Sequence, residues 1–350
     1  MPTCAYMPSS ANAINVFNTS TDSIITSGIS VGNDPTGVAF TPDGTKAFIA
    51  NQTSGTISVI DTVSATVVHT ISVSPSGYPY GVAIGVTANG TYAYVTVKNA
   101  DTTLADFVLV IDTSSYTIVS PSPIYLTVKC YPYGVAITPD GSYVYVAIST
   151  TQYSGNGSVS IIQTSNNTLI SGSITFTTPQ ANYPWGVAIS PTGSPPTAYV
   201  TLDSLEYLGH VAVFPANGST SVSITYVTVS YRPRGIAITP DGTTVFTANF
   251  GSNSTPDGNV SYFSTSPLPT MASDYNNTVL YYAFGIAVTP DGSKAYVGTN
   301  GGNTVVMSTS SHTAISTISS TGGNAFGIFI QQNAFAGPFT GGPGSDWFGL

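Results

Sequence analysis

Charge is what this chain has least of. Only 6% of its 350 residues are charged, against roughly 25% in an ordinary soluble domain. Six basic residues face fifteen acidic ones, for a net charge of −9. Six cations are too few to neutralise a phosphate backbone, which excludes a nucleic-acid partner. Cysteine is also scarce. Cys4 and Cys130 give neither a metal-ligand spacing nor a disulfide framework. No apolar run approaches the roughly 18 residues of a membrane-spanning helix, and no basic amphipathic segment suits anionic lipid, so no membrane insertion is expected. Helical periodicity is missing throughout. The opening residues, Met1-Pro2-Thr3-Cys4, show neither the charged nor the apolar region of a signal peptide.

What replaces charge is neutral polarity. The hydrophobic fraction is 41%, and Ser, Thr, Asn, Gly and Tyr stand where Lys, Glu and Arg usually keep a surface wet. Hydroxyls and amides hydrate equally well whether carboxylates are ionised or, below about pH 4, neutralised. The composition points to an extracellular or cell-surface protein tolerant of acid, or to a surface covered by glycan or by neighbouring subunits.

One phrase returns seven times. It reads Gly37-Val38-Ala39-Phe40-Thr41-Pro42-Asp43-Gly44, recurs at Gly81, Gly134, Gly186, Gly235 and Gly285, and ends as Gly327-Ile328-Phe329-Ile330. The steps of 44, 53, 52, 49, 50 and 42 residues suit a four-stranded propeller blade. Within each unit the phrase is strand A, and Pro-Asp-Gly is turn chemistry. Strand B alternates, as in Tyr143-Val144-Tyr145-Val146-Ala147. Strand C reads Thr56-Ile57-Ser58-Val59-Ile60-Asp61-Thr62, and strand D follows as Thr66 to Val73. Blade 2 carries Thr87-Ala88-Asn89-Gly90 and blade 4 Pro191-Thr192-Gly193 in place of Pro-Asp-Gly. Three strands precede the first phrase (Cys4 to Met7, Ala13 to Thr19, Asp22 to Val31), and one follows the sixth unit, Phe326 to Gln331. Together they make a seventh blade shared by both termini, which closes the ring and removes free edges. The expected fold is all-β: a seven-bladed propeller over residues 1–331, with a Gly/Pro-rich apolar tail over 332–350.

Ala93-Tyr94-Val95-Thr96-Val97, Val144-Tyr145-Val146-Ala147 and Ala295-Tyr296-Val297-Gly298-Thr299 look like variants of a Tyr-Val-Thr-Asn motif. Paired with the Gly-Val-Ala-Ile-Thr-Pro-Asp-Gly phrase, they resemble the YVTN β-propeller repeats of archaeal surface-layer proteins, over residues 3–331. The resemblance implies an extracellular propeller that is adhesive or layer-forming. It carries over no catalytic residue.

Candidate sites are few. Asp43, Asp140, Asp241 and Asp291 belong to turns, and Asp61 and Asp112 cap the turn after strand C. The pairs Asp101/Asp106 and Asp203/Glu206 fall in B–C loops and read as solvated polarity ahead of calcium or acid–base work. His69, His210 and His312 fall on strands C or D of three separate blades. With no catalytic constellation in view, no cofactor or metal is expected, and the chain reads as not an enzyme; a lactonase- or lyase-type propeller is the least favoured reading.

The position before each repeat Gly is more informative: Thr36, Tyr80, Tyr133, Trp185, Arg234, Phe284 and Phe326. Two residues earlier stand Asp34, Tyr78, Tyr131, Tyr183, Arg232, Tyr282 and Asn324. With strand A innermost, these loops ring one mouth of the central channel. An aromatic collar with one cationic sector, Arg232 and Arg234, suits a sugar or an acidic glycan; the alternative is packing that wedges the blades together.

Nine Asn-x-Ser/Thr sequons, at Asn18, Asn51, Asn89, Asn156, Asn166, Asn217, Asn253, Asn259 and Asn276, are expected in turns, loops or strand ends and are candidates for glycosylation. In the tail, Phe339, Trp347, Phe348 and Leu350 are apolar anchors suited to an interface with a neighbouring copy. The leading expectation is therefore a surface structural or adhesive propeller that assembles as a homo-oligomer or polymer. A glycan- or small-ligand-binding propeller is the alternative.

Overall fold

The computed structural model describes residues 3–126, 130–150, 156–177, 183–204, 207–252, 258–275, 280–300, 302–319 and 327–331. They form seven antiparallel sheets, each running A-B-C-D from strand to neighbouring strand. Blade 1 consists of Pro35–Phe40, Lys46–Asn51, Thr56–Asp61 and Thr66–Ser72. The A strands of blades 2 to 6 are Gly77–Thr87, Cys130–Ile137, Tyr183–Gly193, Pro233–Ile238 and Ala283–Val288. Blade 7 joins Cys4–Ser9, Ala13–Asn18 and Ser23–Ser30 to Phe329–Ile330 from the other end of the chain. Ala5 pairs with Ile330 and Tyr6 with Phe329, so the expected closure by both termini is present.

The repeat Gly has a steric cause. A Cβ on Gly37 would lie 2.4 Å from the carbonyl oxygen of Tyr80, and one on Gly81 2.4 Å from that of Tyr133. On Gly235 it would meet the Phe284 oxygen at 2.7 Å. Each inner strand thus abuts the backbone of the next blade's inner strand, and only a residue without a side chain fits. Threonine links the same strands. Thr36 Oγ1 donates to Tyr80 O, Thr96 Oγ1 to Tyr133 O and Thr201 Oγ1 to Arg234 O, each at 2.9 Å. Thr96 and Thr201 also accept from the N–H of Gly81 and Gly186 at 2.8 Å.

The motif tyrosine does a separate job. It points away from the axis, onto the C–D turn of the following blade. Tyr94 donates to Asn167 Oδ1 at 2.8 Å, Tyr145 accepts from Gly218 N at 2.9 Å, and Tyr296 donates to Asp22. These rings are almost fully buried, each contributing roughly 1.5–3 kcal/mol of apolar burial. Phe48 and Phe246 keep the ring and lack the hydroxyl, packing on Tyr116 and His312 of the next blades.

The turns carry the acids assigned to them. Thr239 and Thr243 hold the Asp241 carboxyl below the usual range through hydrogen bonds, and Gly242 takes φ +73°. At the end of strand C, the Ser64 N–H and then Lys46 hold Asp61 down to about 2. Blade 2 replaces Pro-Asp-Gly with a two-residue hairpin closed by Thr87 and Gly90.

The outer strands depart from a uniform strand D. In blades 2 and 3 they are broken into Thr117–Ile118 with Ile124–Tyr125, and Thr168–Leu169 with Ile174–Thr175. Pro121 and Pro123 lack the N–H that would continue the first, and Gly172 at φ +88° turns the second. Blades 6, 7 and 1 keep longer outer strands, each with an extra residue at the same place. Ile315, Ile25 and Val68 sit at the register shifts, three residues after the positive-φ residues His312, Asp22 and Ala65. A bulge re-aims its side chain off the sheet's alternation, and these three are 51%, 50% and 47% exposed. The equivalent Val119 and Ile170 of blades 2 and 3 pack against the core.

Gly81→Ala is expected to destabilise the fold by about 1–3 kcal/mol, the range of overpacking a tight contact, read as a lower urea midpoint with unchanged slope. A midpoint within error of the wild type would show that the inner strands separate at no cost.

Candidate ligand-binding mouth

Tyr80, Tyr133, Trp185, Arg234 and Phe284 lie within the inner strands rather than in D–A loops, and they meet at one mouth as a plug rather than an open ring. Tyr133 stacks on Trp185 at 3.9 Å and 7°. Tyr80 meets Tyr133 edge-on at 5.0 Å and reaches Trp185, two blades away, at 6.3 Å. Trp185 in turn contacts Phe284 of blade 6 edge-on at 5.8 Å. Aromatics from blades 2, 3, 4 and 6 therefore touch across the axis, in the offset and perpendicular geometries such rings prefer. Phe326 lies outside the described residues.

The two arginines are built into this plug. Arg232 and Arg234 are each only 9% exposed. The Arg234 guanidinium lies 3.9 Å from the Phe250 ring centre, 4.3 Å from Trp185 and 4.9 Å from Phe284, and Arg232 lies 4.9 Å from Phe250. The Nε atoms of Arg232 and Arg234 stand 3.7 and 3.9 Å from Oδ2 of Asp203. Asp203 ends strand B of blade 4 (Pro196–Asp203) and is wholly buried. The sequence reading of it as solvated loop polarity is corrected. Burial pushes its carboxyl up, and the two guanidiniums pull it back. These cations, expected to face a ligand, are instead committed to a buried carboxylate and three rings. Asp203 and Phe250 were not recognised as partners because the loops that bring them together belong to blades 4 and 5.

Open space remains beside the plug. A pocket of about 190 Å³ is walled by Tyr78 and Tyr80 of blade 2 and Tyr131 and Tyr133 of blade 3. Pro132, Gln52 from blade 1 and Lys98 from strand B of blade 2 complete its lining. Lys98 pairs with Tyr78 in register, and its Nζ stands 3.7 Å over the Tyr131 ring. Tyr131 stacks on Tyr133 at 6.0 Å, so pocket and plug share a wall. A larger groove, about 620 Å³, opens on the opposite face between blades 1 and 2. Its lining is the Thr41–Asp43 turn, Lys46, Val86 and Tyr116. It is a broad cleft between turns whose Asp43 and Lys46 are already engaged by Thr45 and Asp61, so the smaller aromatic pocket is the better-built site.

The remaining sequence candidates are scattered. Asn89, Asn156, Asn166 and Asn217 are exposed, while Asn18 and Asn259 are half-buried. Asn51 is corrected as a glycosylation candidate: it is fully buried, and its Nδ2 donates to Thr56 and Ser58 at 3.1 and 2.9 Å. Asn253, Asn276 and the tail residues Phe339, Trp347, Phe348 and Leu350 lie outside the described residues. Asp106 is buried rather than solvated, accepting from the N–H of Asn99 and Cys130. His312 lies in a turn rather than on a strand and stacks on Tyr262 of blade 5 at 3.6 Å. Cys4 and Cys130 are unbridged. Among the described residues no three His, Cys, Asp or Glu side chains gather as metal ligands, and no helix is long and apolar enough to cross a membrane.

No family model matches the chain. A curated relative, the seven-bladed beta-propeller protein Rv1057 of Mycobacterium tuberculosis, is 29% identical over 135 residues. That stretch is 38% of this chain and 31% of the relative, so the match spans less than a third of that protein's length. Among solved structures, a chain of Kuenenia stuttgartiensis hydrazine synthase superposes with TM-score 0.66 at 17% identity, covering 89% of this chain and 90% of that one. A functionally unknown protein from Desulfotomaculum acetoxidans DSM 771 gives TM-score 0.68 at 16% identity, with 94% and 99% covered. Dihydro-heme d1 dehydrogenase NirN in complex with DHE gives 0.63 at 13%, with 93% and 74% covered. Likeness at this identity shows the fold alone. It nevertheless corrects the expectation that the chain is not an enzyme, because two of these structures are of enzymes. The absence of a recognisable catalytic motif in a propeller is no ground for excluding catalysis, since a fold does not set an activity.

Removing one guanidinium leaves the buried Asp203 under-compensated, a change that costs about 3 kcal/mol or more at comparable sites. Arg234→Ala is expected to lower stability by that order, and Asp203→Asn added to it to restore part of the loss. Additive losses in chemical denaturation would mean that the two residues do not share one network.

Proposed function

We propose that this chain is a carbohydrate-binding β-propeller of the cell exterior, holding its ligand in the tyrosine-walled pocket beside the axial plug. The observation that carries this reading is the pocket itself: four tyrosines from two adjacent blades around about 190 Å³, with an amide and an ammonium at its margins. Flat aromatic faces suit the C–H faces of a sugar ring, and phenol hydroxyls and the Gln52 amide suit its hydroxyls. The plug supports this by fixing two of the four walls, Tyr80 and Tyr133, so little ordering is needed on binding. An exterior location is supported by the near absence of charge and by the motifs shared with archaeal surface-layer repeats.

On a glycan array the intact chain is expected to bind a defined subset of glycans, and Tyr131→Ala to lose at least about tenfold in affinity, or roughly 1.4 kcal/mol. Tyr131 is half-buried at the mouth rather than in the core, so the folded state survives the change. Undiminished binding by the variant, or no glycan retained by the wild type, would overturn the assignment.

A second reading, a self-assembling surface protein, is favoured by the row of bulged aliphatics. Ile315, Ile25 and Val68 project from the rims of three consecutive blades, on outer strands that hold no Asp, Glu, Lys or Arg. Two copies meeting there would bury apolar surface without charge repulsion. Sedimentation velocity is expected to show a concentration-dependent oligomer that becomes monomeric when all three residues are replaced by Lys. A wild type that stays monomeric, or a variant that still assembles, would rule this rim out as the interface.

A further inference from the structure

We infer, on the carbohydrate reading above, that the pocket takes an acidic sugar, with Lys98 as the counter-ion to a carboxylate or sulfate on the ring. The chain has six cations against fifteen carboxylates, so every cation is expected to find an acid. Four of the five in described residues do. Lys46 pairs with Asp61 at 3.1 Å and Lys294 with Asp22 at 2.9 Å, and Arg232 and Arg234 share Asp203. Among the described residues Lys98 alone makes no ion pair. The carboxylate that feels its charge, Asp106, is buried and has its two oxygens engaged by the N–H of Asn99 at 2.7 Å and of Cys130 at 2.8 Å.

Lys98 is instead held at the tyrosine-walled pocket. Its ammonium sits 3.7 Å over the Tyr131 ring, a contact that fixes the cation without using its hydrogen-bond donors on another charge. Among the described residues no carboxylate lines the pocket to compete with an incoming anion. At about 190 Å³ the pocket matches the size of a single sugar ring, and the anionic group is assigned to the ring that the tyrosines stack against. An ammonium is a point charge without the planar fork of a guanidinium, so carboxylated and sulfated sugars share the chemistry it recognises.

Calorimetric titration of the intact chain separates these sources, using an oligogalacturonate, a sulfated galacto-oligosaccharide and a neutral galacto-oligosaccharide. At least one acidic ligand is expected to bind about tenfold more tightly than the neutral one at about 20 mM salt, with the difference shrinking by about 500 mM as screening grows. Lys98→Met should abolish both the preference and its salt dependence, and Lys98→Arg should retain them. Preference for one acidic ligand identifies the source and supports the assignment. Equal affinity for acidic and neutral ligands, or an undiminished preference in Lys98→Met, overturns it while leaving the carbohydrate reading intact. Failure of all three to bind, alongside an empty glycan array, removes the carbohydrate reading as well.

Discussion

The contact on which the rest of this molecule depends is backbone against backbone at the repeat glycine. Gly37, Gly81 and Gly235 each leave room for a carbonyl oxygen of the neighbouring inner strand within 2.4 to 2.7 Å of where a Cβ would stand. The approach is so close that inner strands share hydrogen bonds through Thr36, Thr96 and Thr201. Once those strands touch, the residue just before each glycine is carried to the axis, and bulky side chains there must meet one another. The aromatic plug follows from the glycine ring. Trp185 reaches Phe284 two blades away because the backbones leave no wider channel between them.

Scarcity of charge organises what lies outside that ring. With six cations in the chain, each ion pair has a location that can be read. Lys294 and Asp22 join blade 6 to blade 7, strengthening the junction beside the split blade, where the chain's ends are held by strand pairing rather than by continuity. Lys46 and Asp61 pair within blade 1 beside a capped turn. Arg232 and Arg234 neutralise the single acid buried under the plug. Tyrosine, threonine and serine do the linking that lysine and glutamate do elsewhere, and hydroxyl-to-backbone bonds across blades are insensitive to salt in a way ion pairs are not.

The architecture was legible because its signals repeat. The Gly phrase and the alternation of strand B return every 42 to 53 residues, four times with a Pro-Asp-Gly turn between them, and three leading strands plus one trailing strand sum to one blade. Positions were legible too: of the residues before each glycine, Tyr80, Tyr133, Trp185, Arg234 and Phe284 are found at the mouth. Their state was not. Whether seven side chains make a ring or a plug depends on distances across the axis, which no local pattern encodes. Asp203 and Asp106 were misread because a carboxylate beside a loop is usually wet, and burial here comes from loops of neighbouring blades. Asn51 matches a sequon, yet as the last residue of strand B it turns its amide into the sheet. The broken outer strand of blade 2 has a sequence signal in Pro121 and Pro123, and that of blade 3 turns at Gly172.

A repeat protein separates what holds it together from what distinguishes it. Residues that recur in most blades have structural work that accounts for them: the glycine at the inner contact, the strand-B aromatic at the outer one, the aspartate in its turn. Selectivity must then come from positions where one blade differs from the rest. The pocket combines a tyrosine that also recurs as Tyr183 and Tyr282 with two positions that differ by blade, Gln52 and Lys98. Tyr78 and Tyr131 stand where blade 1 has Asp34 and blade 5 has Arg232. Lys98 extends strand B of blade 2 (Gly90–Asn99) beyond the length of its counterpart in blade 1, Lys46–Asn51, and so reaches the Tyr131 ring of the next blade. A ligand centred on the axis would meet the plug, whereas one lying between blades 1, 2 and 3 would meet Gln52 and Lys98 beside the tyrosines. On the proposed carbohydrate reading, the asymmetry of the mouth, set on a nearly symmetric ring, is what would place the ligand in that sector.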